Sequence, residues 1–189
     1  MKKIFLGMMT FAALTACKKE NSLTETNEIS ATDTATITQT EAPDIIPYQQ
    51  VELNVKEMSE MLAKKDNDTL YITNFFATWC GPCVREIPHF REKMQETKSQ
   101  PVKFTFVGLD VKEDWPTKVK EFVEAHQMSE NTVLINPETL TPEFFPANFK
   151  QWDGGSIPFT FMRKGDKTDE TIGMMSKEML SSKINSFGK

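Results

Sequence analysis

Apolar and polar positions change rhythm several times along this chain of 189 residues. Residues 69–77 (TLYITNFFA) form a compact run of apolar, β-branched and aromatic side chains, the pattern of a central strand buried on both faces. Val102 to Val111 reads as a second central strand and Thr132 to Ile135 as a further short one. Between them the period lengthens. Val55, Met58, Met61 and Leu62 recur at helical spacing behind Asn54 and Glu57, which together resemble a capping signal. Residues 81–98 continue as a helix, and Val119, Phe122, Val123 and His126 mark another, opened by Pro116 in its first turn. Pro137, Pro142 and Pro146 interrupt residues 136–156, so a loop is expected there. It carries one short helix after the last proline, since Phe145, Phe149 and Trp152 keep a helical spacing. Ile157 to Arg163, a turn at Lys164-Gly165-Asp166, and Thr168 to Ile172 then predict a hairpin ending at Gly173. Ser176 suits the N-cap of a final helix whose buried stripe is Met179, Leu180 and Ile184. Strands alternating with helices in this way predict an α/β domain over residues 48–189, a sheet flanked by helices on both faces.

The first 47 residues follow other rules. Lys2 and Lys3 precede a short apolar stretch from Ile4 to Leu14, too short to span a bilayer and arranged as a secretory leader over residues 1–16. Leu14-Thr15-Ala16-Cys17 resembles the lipobox of bacterial lipoproteins, in which the cysteine is lipidated and becomes the first residue of the mature chain. Cys17 is therefore expected to be a membrane anchor. An ordinary leader with an incidental cysteine is the alternative. Residues 18–47 are rich in Thr, Glu, Asp, Ser and Asn with no sustained period, so residues 17–47 read as a lipidated start followed by a flexible tether. Thirty such residues would span roughly 30 Å as a random coil. Lys18, rather than an aspartate, after Cys17 favours the outer membrane.

Composition removes several function classes. A net charge of -5, made more acidic still by loss of Lys2 and Lys3 with the leader, provides no basic footprint for nucleic acid. Three cysteines are too few for a disulfide scaffold. Two of them form a C-x-x-C, Cys80 and Cys83, but a structural zinc site needs four ligands, and only His89 and His126 could assist. No metal and no cofactor is expected.

Redox chemistry fits the pair better. Cys80 lies where a buried strand gives way to a helix, so its sulfur should meet unpaired backbone N–H groups and the positive end of the helix dipole. That environment favours thiolate and makes Cys80 the exposed attacking sulfur. Cys83, one turn further in, is placed to resolve the mixed disulfide, with Gly81 and Pro82 setting the tight start of the helix. Trp79 is expected to pack over the site and limit water access to Cys80. The aromatic group Phe144, Phe145, Phe149 and Trp152 reads as core, with a substrate-facing patch as the alternative. His126 reads as a core-edge residue and His89 as a helix-surface one.

Residues 74–83 (NFFATWCGPC) resemble the thioredoxin superfamily, and within it the membrane-anchored TlpA-like and ResA-like proteins. Pro88 falls where thioredoxins kink the active-site helix, and Ile157-Pro158 matches the family's cis-proline, which faces the cysteine pair and helps to hold substrate. Gly173 and the Ser176 helix match the last strand and helix. The resemblance covers roughly residues 50–187. It implies a thioredoxin-like fold with a central mixed β-sheet, disulfide exchange through Cys80 and Cys83, and substrate contact by Trp79, Gly81, Pro82, Ile157 and Pro158. Asn74 replaces the buried aspartate of cytosolic thioredoxins. Glu86 matches an acidic residue that ResA-like proteins keep beside their site, so it reads either as a proton relay or as a solvated helix-face glutamate.

The function expected is a cell-envelope thiol-disulfide oxidoreductase, periplasm-facing or surface-exposed. It would act as a reductant on protein disulfides, cytochrome apoproteins among them, and draw electrons from a membrane or envelope donor. A peroxiredoxin-type peroxidase and a surface-tethered binding module without catalysis are the alternatives. The C-G-P-C spacing suits dithiol exchange better than the first.

Overall fold

The computed structural model describes residues 46–188. The leader, Cys17 and the tether as far as residue 45 lie outside the described residues. Among those described, no helix is long and apolar enough to cross a membrane.

Five strands form one mixed sheet in the order β3-β2-β1-β4-β5. They are β1 (Leu70–Phe76), β2 (Val102–Gly108), β3 (Thr132–Leu134), β4 (Phe159–Lys164) and β5 (Lys167–Ile172). β1, β2 and β3 are parallel, whereas β4 runs antiparallel to β1 and β5 antiparallel to β4. The apolar run around residue 72 thus occupies the centre of the sheet, as its two-faced hydrophobicity demands. Thr132–Leu134 is an edge strand. The second central strand ends at Gly108, three residues earlier than its apolar pattern suggests, because Asp110 turns inward to bind the loop before Trp79. β4 and β5 join through Gly165-Asp166. Gly165 takes φ +55, a left-handed conformation that glycine adopts without strain.

Helices cover both faces. Ile72, Phe76, Phe104 and Phe106 pack in one core with α2 (Gly81–Glu96), α3 (Lys120–Ala125) and α5 (Lys177–Ser186), through Ile87, Phe90, Val123, Leu180 and Ile184. Phe75, Val107, Phe159 and Phe161 face a second core that takes Met58 and Leu62 from α1 (Val55–Leu62) and Phe144 from α4 (Phe144–Asn148). A full capping box starts α1: the Asn54 side chain accepts from the Glu57 N–H and the Glu57 carboxylate from the Asn54 N–H. One wide π-type turn, Trp115–Val119, leads into α3, with Pro116 near its start.

Two expectations are corrected by the packing. The short helix of the 136–156 segment spans Pro146 rather than following it, which is tolerated because a proline in the first turn gives up no intrahelical bond. Phe144, Phe149 and Trp152 are core residues, as read. In the last helix Met179 is 44% exposed, whereas Met175, just ahead of the Ser176 cap, is fully buried in the core. The Ser176 hydroxyl accepts from the Met179 N–H, so the backbone and not the side chain of Met179 is engaged.

Candidate redox site

β1 delivers the chain to the site. After Phe76 the chain turns, the Cys80 N–H donates to the Ala77 carbonyl, and α2 begins with Cys80 as its N-cap. The Cys80 sulfur accepts from the Cys83 N–H at 3.2 Å, so it occupies the place where a helix start leaves amide donors unpaired. Pro82, in the first turn, lacks an N–H that would have been unpaired in any case. Cys80 and Cys83 are joined as a disulfide with Cα atoms 5.2 Å apart. Cys80 is only 5% exposed and Cys83 fully buried. The attacking candidate is therefore the more open of the two, but not the exposed residue expected, since its side chain joins the core around Ala77 and Ile87.

A groove of about 500 Å³ lies over Cys80. Trp79, Gly81, Pro82, Leu109 and Pro137 line it with Cys80, and the loop 154–157 forms another wall. The Ile157–Pro158 bond is cis, with Ile157 facing the groove and Pro158 buried. Trp79 departs from expectation. It is 70% exposed and stands on the rim instead of packing over Cys80.

Glu86 lies one turn beyond Cys83 on the buried stripe of α2, between Cys83, Ile87 and Phe90. Its side chain is fully buried, which excludes the solvated-face reading. One carboxylate oxygen accepts from the Asn74 amide at 2.7 Å, and the other from the Met175 N–H at 2.8 Å. Asn74 also donates to the Thr160 hydroxyl on the neighbouring strand at 3.0 Å. Burial pushes the Glu86 carboxyl up from the ordinary 4.5 to about 7, against the pull of the Met175 and Asn74 donors and of nearby His89. His89 is half-buried rather than a surface residue, with Nδ1 3.1 Å from the Met175 carbonyl oxygen. Pro88 lies inside α2, where its missing N–H leaves the Val84 carbonyl without the usual partner.

Comparison with known proteins gives this geometry a family. The thioredoxin family model matches residues 49–128. The thioredoxin of Listeria monocytogenes is 30% identical over 135 residues, covering 70% of this chain and 98% of that protein. This chain belongs to the thioredoxin family. Sporulation thiol-disulfide oxidoreductase A of Bacillus subtilis is 29% identical over 111 residues, 58% of this chain and 62% of that protein. A thioredoxin-family thiol:disulfide interchange protein from Chlorobium tepidum superposes with a TM-score of 0.54 at 24% identity, over 76% of this chain and 97% of its own. The fold with its close cysteine pair is that of a thiol-disulfide oxidoreductase.

Within this thioredoxin-family site, one residue was not singled out from the sequence. Asp110 is fully buried past the end of β2 and holds the loop that carries Trp79 and Cys80. Both of its carboxylate oxygens accept from the Thr78 N–H at 3.1 Å, and one accepts from the Thr78 hydroxyl at 2.6 Å. Its backbone carbonyl accepts from the Trp115 indole at 2.8 Å. The carboxyl is shifted up by burial, opposed by the Thr78 donors. An acidic residue just past a buried strand was the available signal.

Proposed function

We propose that this protein is a reductant of the bacterial cell envelope, anchored through a lipid on Cys17, that passes electrons from an envelope donor dithiol to protein disulfides, those of cytochrome apoproteins among them. The observation that carries the proposal is the pair itself. Cys80 caps α2 and accepts the Cys83 N–H, and Glu86 stands buried one turn beyond Cys83. In the dithiol form the Cys80 thiolate attacks one sulfur of a substrate disulfide, forms a mixed disulfide and releases one substrate thiolate. Glu86, whose carboxyl titrates near neutrality, takes the Cys83 proton. The Cys83 thiolate then attacks the Cys80 sulfur, the Cys80–Cys83 bond forms, and the second substrate thiolate leaves. Two electrons have passed to the substrate, and the donor dithiol returns them to the pair.

Trp79, Gly81, Pro82 and Ile157 hold the substrate chain along the groove, with buried Pro158 following Ile157, and the helix dipole and the Cys83 N–H favour the Cys80 thiolate. The secretory pattern of residues 1–16 and the lipobox at Cys17 support the envelope location. Reduction of insulin by the dithiol form tests the exchange: precipitation of the reduced B chain is expected, and its absence would favour a binding role. For the anchor, Cys17→Ala expressed from the full chain should move the protein out of the membrane fraction, and unchanged partitioning would refute it.

A further inference from the structure

The loop between α4 and β4 is built to stay still. Its Trp152 ring is buried and stacks on Phe159 at 4.2 Å, with Phe75 at 4.7 Å on another side. The indole N–H, the one polar group of this side chain, donates to the Ser156 carbonyl at 2.8 Å. Residues 152–156 are thereby closed into a tight loop by their own tryptophan. Gly154 takes φ +84 directly over the Phe145 ring, where a Cβ would come within 2.3 Å of a ring carbon. The Asp153 carboxylate accepts the Gly155 N–H at 2.9 Å. Three separate local interactions therefore fix one wall of the groove above Cys80. No residue lining that groove carries an ionisable side chain apart from Cys80.

We infer that Trp152 is a positioning residue for macromolecular substrate. Acting through Ser156, it holds the 154–157 backbone as a preformed wall that receives a stretch of unfolded polypeptide, uncharged beside its disulfide cysteine. The inference rests on the exchange reading above. Trp152 touches neither the cysteines nor the groove, so its contribution falls on binding and not on the sulfur chemistry.

Steady-state reduction of two disulfides, insulin and the small 2-hydroxyethyl disulfide, separates these effects. Trp152→Phe keeps the stacked ring and removes one hydrogen-bond donor, so the insulin KM should rise about fivefold with kcat held. The small disulfide, which needs no wall, should react at the wild-type rate. Gly154→Ala should raise the insulin KM further, because its Cβ meets Phe145 in a left-handed backbone. Among peptide disulfides with Leu, Asp or Lys beside the cysteine, Leu should be preferred over both charged residues by roughly tenfold. An unchanged insulin KM in both variants, equal slowing of both disulfides, or a preference for either charge would overturn the inference alone. If the wild type reduces neither disulfide, the exchange reading falls and takes this inference with it.

Discussion

Two buried carboxylates flank the cysteine pair, and they are held differently. Asp110, on the side of the loop before Trp79, takes both its donors from one residue: the Thr78 N–H is shared between its two oxygens and the Thr78 hydroxyl falls on one of them. Glu86, on the inner side along α2, receives one donor on each oxygen. Both carboxyls are raised by burial, but the Glu86 value reaches about 7, within the range where proton exchange with a thiol is useful. A carboxylate bonded twice by one residue of a loop works as a latch on that loop. One held by two separate elements, with its carboxyl raised to about 7 one turn from Cys83, has the titration a proton acceptor needs.

Stability against pH should distinguish the two most strongly. In the oxidised protein neither cysteine titrates, and Glu86 holds its proton more tightly folded than unfolded. Folding stability is therefore greatest below about pH 4.5 as far as Glu86 is concerned, falls as pH rises from there to about 7, and levels off above. The Glu86 share of that fall is on the order of 3 kcal/mol. Denaturant titrations at pH 5 and 8 should show it in the wild type, and Glu86→Gln should remove it while leaving the Asp110 contribution. A variant whose pH dependence matches the wild type would place the titration elsewhere.

Next in size is the latch. Asp110→Ala leaves the Thr78 N–H and hydroxyl without their acceptor and should cost about 2 kcal/mol of stability in urea unfolding. Glu86→Gln should have the smaller effect at pH 7, slowing exchange about tenfold through loss of the proton acceptor beside Cys83. Its rate should also lack the pH inflection near 7 expected of the wild type. Superimposable pH–rate profiles would make Glu86 a second latch and remove the contrast with Asp110.

The parts of this site that follow local rules were legible in the sequence. An apolar β-branched run, a Cys-Gly-Pro-Cys and a helical stripe place Cys80 at a strand-to-helix junction with no tertiary information, and the capping residues Asn54 and Ser176 mark their helices directly. What escaped depends on which neighbour arrives from afar. Glu86 shares the stripe of Cys83, Ile87 and Phe90, yet its burial is sustained by Asn74 from β1 and Met175 from the approach to α5, twelve and eighty-nine residues away. Asp110 finds its partner thirty-two residues upstream. Trp79, expected over Cys80, is 70% exposed on the rim, while Leu109, Pro137 and the 154–157 loop bound the groove beside it. Met175, whose N–H is bonded to Glu86 from α2, is fully buried, whereas Met179, expected in the buried stripe, is 44% exposed.

Trapping of reaction intermediates tests the division of labour between Cys80 and Cys83 most directly. The full chain carrying Cys83→Ser keeps the attacking sulfur and loses the resolving one, so envelope proteins should accumulate on it as mixed disulfides through Cys80, released by dithiothreitol and identifiable by mass spectrometry. Cys80→Ser should capture none. Capture by Cys80→Ser but not by Cys83→Ser would reverse attacker and resolver, and capture by neither would contradict disulfide exchange through this pair.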